Sequence, residues 1–180
     1  GTIGPFTASH DSVTPKSLSF DSGDIVIDNG VVGKRGVSDV ICYGDKSSSA
    51  NQPGAIGVFV SRRELTEDNP PAALIDHTES VMNPEGEEVT QVHIAISEVT
   101  TIKETHDISI VNSIGEGQIN VCGEGGDIQI GDLIVTSSIA GKGMKQGDDI
   151  IRSYTVAKAR EGATFSAGEV KQIACIYLCG

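Results

Sequence analysis

Tryptophan is absent, and four phenylalanines and three tyrosines are all the aromatics in 180 residues. A core cannot therefore rest on large aromatic anchors. A sugar-cleaving groove, which sets paired carboxylates between aromatic platforms, is poorly supplied. Basic residues are also scarce: 13 Lys and Arg stand against 25 Asp and Glu, a net charge of -12, and Arg62-Arg63 is the largest basic cluster. A phosphate-binding surface needs clustered cations to release counterions, so nucleic acid is disfavoured and not expected as a partner. No apolar run approaches the length of a membrane span, and the first residues lack the charged and apolar segments of a signal peptide. Membrane insertion is not expected, and synthesis in the cytosol is. The chain opens Gly1-Thr2-Ile3 without an initiator methionine, so the expectation is a processed product or excised fragment preceded by further sequence.

Cysteines at 42, 122, 175 and 179 form no CxxC pair and have no histidines at zinc-like spacing. Apolar neighbours, as in Val40-Ile41-Cys42 and Ala174-Cys175-Ile176, mark them as buried free thiols. Cys179, beside the terminus, is the candidate for exposure. No metal site or cofactor is expected from them.

Hydrophobic residues make up 38% of the chain, largely Val, Ile and Ala, with 22 glycines. Branched side chains suit a pleated, half-buried surface and glycines suit tight turns. The expected fold is mainly β: two related β lobes of short antiparallel strands in a compact sandwich or barrel-like domain. The relatedness rests on an internal match, GDIVIDNGVVGK at 23–34 over GDLIVTSSIAGK at 131–142, whose start points lie 108 residues apart. That period is too long for a solenoid and points to a duplicated module. Each copy is followed by a further strand, within 54–60 and 154–159, and then by Arg-Glu at 63–64 and 160–161.

The organisation read from these patterns has four parts. A polar lead-in segment with Pro5 and Pro15 spans 1–20, and the first lobe spans 21–66. An acidic loop with three prolines spans 67–88, and the second lobe with a closing strand spans 89–180. In the first copy Asn29-Gly30 predicts a tight hairpin turn with Val31-Val32 returning; in the second, Ser137-Ser138 supplies the turn. Residues 89–96 alternate as a half-buried strand, 108–111 and 117–121 predict short strands, and 150–160 is read as strand rather than helix. The apolar end, 170–180, predicts a strand buried on both faces in a central sheet position.

Chemistry is thinly signalled. Ser9, His10 and Asp11 hold a hydroxyl, an imidazole and a carboxylate in consecutive positions. Nucleophilic catalysis needs such groups to converge in space, so a role in fixing a turn competes with a triad. Asp21, Asp24 and Asp28 offer oxygen ligands for a hard cation, yet aspartates are also ordinary turn residues. Ser137 or Ser138 with Lys142 or Lys145 could form a serine-lysine dyad if the lysine were desolvated. The glycines of 115–117 and 123–126 lack the helix that a phosphate cradle requires and are read as turn glycines. The duplicated motif singles out Gly23, Asp24, Gly131, Asp132, Gly141 and Lys142.

Four stretches resemble C-terminal modules of bacteriophage tail fibres and tailspikes: 7–11 (TASHD), 52–60 (QPGAIGVFV), 115–127 (GEGQINVCGEGGD) and the long run 131–160. The resemblance implies a homotrimeric virion component made in the host cytoplasm and continuous with an upstream fibre shaft. It implies a structural and assembly role, with contact to a bacterial surface receptor or glycan through 67–88. Some such modules are intramolecular chaperones that drive trimerisation and then cut themselves off, which is the alternative expectation; no cleavage site or nucleophile maps to a definite position. An enzyme beyond a single self-cleavage is not expected.

Overall fold

The Val- and Ile-rich runs become strands, because branched side chains lose least freedom on a pleated surface. The computed structural model describes residues 2–4, 7–75, 77–93 and 95–179. In chain order the strands are β1 (Thr2–Gly4), β2 (Thr7–Pro15), β3 (Ile25–Arg35), β4 (Asp39–Lys46) and β5 (Ala55–Arg63). A 3-10 turn (Ala72–Leu74), the hairpin β6 (His77–Met82) and β7 (Glu88–His93), and a helix α1 (Ala95–Ile102) follow. Then come β8 (His106–Cys122), β9 (Leu133–Thr136), β10 (Gly143–Lys145), β11 (Ala157–Ala159) and β12 (Val170–Leu178). The fold is mainly β.

The main sheet runs β1-β2-β4-β3-β5-β8-β10-β9-β11-β12, and the further pairings β2–β8 and β8–β12 fold it back on itself twice. Two rings of five strands result, β2-β4-β3-β5-β8 and β8-β10-β9-β11-β12, sharing β8. That strand is 17 residues long. Its first part pairs with β2 and β5, and its second part with β12. Each ring has four antiparallel pairings and is closed by one parallel bridge, Val13↔Tyr43 in the first and Gly143↔Val121 in the second. The pairings map one ring onto the other, with β2 matching the second part of β8, and β3, β4 and β5 matching β9, β10 and β11. The first part of β8 then matches β12. The two lobes are thus related in topology as well as in sequence.

Packing divides the chain differently from topology. Ile25 and Ile27 alternate with Val26 along β3, so the pair joins Ile119, Val121, Ile134 and Ile173 in the core of the second lobe, while Val26 packs with Phe59 and Val111. A third cluster joins Val13, Ile41 and Ile108 to Leu65, just past β5, and to Leu74 and Val99, which the 3-10 turn and α1 lay against the first ring. Thr14 and Ser109 are buried in the first lobe and satisfy each other at 2.6 Å.

Several expectations are corrected. The lead-in segment is no irregular stretch: 7–15 is β2, an integral strand of the first ring, and Pro15 ends it. The second lobe begins within β8 and not at 89, because one strand serves both rings. Asn29-Gly30 does not turn the chain. β3 passes through it with a shift of register between Asp28 and Val31, Gly30 has φ +100°, and the reversal falls at 36–38 instead. The pair is a bulge, which long pairing of β3 with β4 on both sides enforces. The acidic loop holds the buried Leu74 and most of a hairpin. The strand expected at 89–96 is β7 as far as His93, but Ala95 and Ile96 open the helix α1 instead. The strands at 108–111 and 117–121 are one, so Gly115 and Gly117 lie inside β8 and not in a turn. β12 does take a position between two strands, β11 and β8, but it buries one face, with Gln172 and Ile176 on the open side.

Candidate functional site

The two Gly-Asp dipeptides build the same turn. Gly23 and Gly131 have φ +97° and +93°, a conformation that a Cβ disfavours. The Asp24 amide donates to the Asp21 carbonyl at 3.0 Å, and the Asp21 amide donates back to Asp24 Oδ2 at 2.9 Å. In the second copy, the Asp132 amide donates to the Gln129 carbonyl at 3.0 Å and the Gln129 amide to Asp132 Oδ2 at 2.8 Å. Gly23 and Asp24 exchange backbone bonds with Phe59 at 2.8 and 2.7 Å; Gly131 and Asp132 do so with Ala159, at 2.8 Å each. The duplication therefore reaches individual hydrogen bonds.

Burial then separates the copies. Asp24 is 1% exposed, and its Oδ1 accepts from Lys142 Nζ at 2.5 Å and from Asn120 Nδ2 at 2.8 Å. Asn120, 6% exposed near the end of β8, also donates to the Ser22 carbonyl at 3.0 Å, and its Oδ1 accepts from Gln172 Nε2 at 3.1 Å. Lys142 Nζ reaches the exposed Asp21 at 2.9 Å. Gly141, φ +79°, brings its backbone so close that an added Cβ would lie 2.8 Å from the Asp24 carboxyl carbon. Burial alone would lower the pKa of the Lys142 ammonium; the hydrogen bonds and charges of Asp24 and Asp21 outweigh it and hold it above its ordinary value. The Lys142 hydrogen bonds likewise hold Asp21 below the usual carboxylate range. Asp132, by contrast, meets Lys145 at 3.6 Å near the surface.

Of the motif residues, Gly23, Asp24, Gly141 and Lys142 thus converge, each copy supplying one end of the network, while Gly131 and Asp132 stand apart. Sequence reading missed Asn120 and Gln172, although a carboxamide flanked by Ile119 and Val121 is the available signal for a buried polar role.

Other candidates are dispersed. Along β2, Ser9, His10 and Asp11 pair with Asn112, Val111 and Ile110 in turn, so neighbours point to opposite faces. The ring nitrogens of His10 lie 3.4 Å from the carbonyls of Asp11 and Ile56, and Asp11 pairs with Arg63 at 3.3 Å. Asp28 Oδ1 accepts from the Gly30 amide at 3.2 Å, within the bulge and apart from Asp24. Among the described residues no group of three metal-ligating side chains forms. Ser137 Oγ donates to the Lys142 carbonyl at 2.8 Å, Ser138 bonds Glu124, and both lysines are engaged by carboxylates, so no serine-lysine dyad forms from these side chains. The Ser138 bonds also lower the pKa of Glu124. All four cysteines are free; Cys122 and Cys175 are buried, whereas Cys42 and Cys179 are half-buried. Burial pushes Cys175 and Cys179 up to about 12.

Comparison with protein-family models, with curated proteins and with solved structures returns no match. What the chain does must be read from its own residues.

Proposed function

We propose that the chain is a structural and assembly module at the distal end of a trimeric bacteriophage tail fibre or tailspike. The observation that carries the reading is the run 131–160 that resembles such modules, which supplies β9, β10 and β11 of the second ring. Exposed aliphatic side chains on strands agree with it: Val31 and Val40 on the β3–β4 hairpin are 58% and 53% exposed, and Ile114 on β8 is 51% exposed. Association of three copies would cover such residues, which a lone domain leaves in water. The acidic region at 67–88 is the part assigned to a bacterial surface receptor or glycan.

The native mass of the purified chain tests the assembly, and the intact mass of a chain extended upstream of Gly1 tests processing. A trimer with the extended chain uncut is the expected result. A monomer at micromolar concentration overturns the reading, and a trimer whose extended chain is severed near Gly1 replaces it with a self-releasing chaperone.

A further inference from the structure

We propose that Lys142 and Asn120 become joined by an isopeptide bond, with Asp24 as the group that moves the protons. Among the ion pairs of the described residues, Asp24–Lys142 is the one whose carboxylate is almost wholly buried, 1% exposed against 12% for the lysine side chain. An ion pair needs no third partner. Here one carboxylate oxygen, Oδ1 of Asp24, is shared by the amine of Lys142 and the carboxamide nitrogen of Asn120, at 2.5 and 2.8 Å. The nucleophile and the nitrogen that would leave therefore meet at a single proton carrier. Behind them Gln172 Nε2 donates to Asn120 Oδ1 at 3.1 Å, where negative charge would develop as the carbonyl is attacked. The groups are held in place by β8, β12 and the turns at Gly23 and Gly141, so little freedom remains to be lost on reaction.

The step balances without an added reagent. The Lys142 ammonium passes a proton to Asp24, and the freed Nζ attacks Cγ of Asn120. The tetrahedral oxygen is held by Gln172, and Asp24 returns that proton to the carboxamide nitrogen, which departs as ammonia. The new amide nitrogen gives up its second proton to Asp24, leaving a neutral buried carboxyl beside a neutral amide. A buried charge pair, costly to keep out of water, is thereby removed. The link would tie the second part of β8 to the β9–β10 connection within the second ring, and it does not depend on the fibre reading.

Intact-mass spectrometry of the purified 180-residue chain tests this. The expected mass is lower than that of the sequence by one ammonia, and a tryptic digest should contain a branched peptide uncut after Lys142 and joined to the peptide holding Asn120. Lys142→Arg and Asp24→Ala should each restore the full sequence mass. A wild-type chain at full sequence mass overturns the proposal whether or not the variants fold. So does a chain lighter by one water, which would place the link between Lys142 and Asp24.

Discussion

The two Gly-Asp motifs begin alike and end differently. Their first four residues, with the residues just before them, repeat the same turn, the same reversed glycine and the same backbone partners. Beyond them, the first copy runs on as β3 through a bulge, whereas the second leaves β9 after four residues and loops from Ser137 to Lys142 before β10. Local chemistry settles a turn whose bonds all lie within four residues. How far the following strand continues depends on what lies beside it. β4 offers partners along nearly all of β3, while β10 offers three residues to β9.

The same position has unequal weight in the two copies, and the sharpest way to break the comparison is to remove the aspartates. Asp24→Ala strands Lys142 and Asn120 in a buried site and should cost about 3–5 kcal/mol, as losing one partner of a buried pair does. Asp132→Ala loses a turn bond near the surface and should cost about 1 kcal/mol. Urea unfolding of the two variants checks the difference, and equal losses would show that Asp24 is no more deeply engaged than its twin.

The glycines come next. Gly131→Ala meets nothing within 4 Å and pays for its left-handed backbone alone, about 1–2 kcal/mol. Gly23→Ala adds contacts at 2.8 Å with Asn120 and Gln172 and should cost about 2–4 kcal/mol. Thermal midpoints of the pair report the contrast.

Alkali should weaken the second lobe more than the first. Cys175 and Cys179 keep their protons to about 12 when folded, against an ordinary 9.0. Raised folded values mean that their contribution is complete below the unfolded pKa and is lost as pH rises through the folded one. Stability should therefore fall between about pH 9 and about pH 12, by about 1.5 kcal/mol per thiol near pH 10. Cys175→Ala should flatten the slope relative to wild type in denaturation at several pH values, and an unchanged slope would exclude that thiol as its source. Smallest is Gly30→Ala, whose reversed backbone sits in open space and should cost about 1 kcal/mol. Amide exchange should show β3 and β4 still paired, because the residue forms a bulge and not the connection between strands.

Much of the architecture was legible because it repeats short-range signals. The duplicated motif with its apolar run at 25–27 and the apolar end at 170–178 both mark strands through chemistry confined to a few residues. The hairpin at Asn29-Gly30 misled for the same reason. The dipeptide permits a reversed backbone, and a turn and a bulge both use one. The helix at 95–102 was hidden by the alternating residues that lead into it, and β2 by its polar residues, which face neighbours in a ring that the sequence does not display.

The amino-acid sequence by itself determined the β class, the two Gly-Asp turns and the kinship of the lobes, since each follows from backbone preferences and patterns a few residues long. Tertiary structure alone decided that one strand serves both rings, and that Asp24, Asn120, Lys142 and Gln172 meet. The reason is physical: ring closure and a buried polar network are made by residues tens of positions apart, and no local preference encodes which distant partner will satisfy a buried charge.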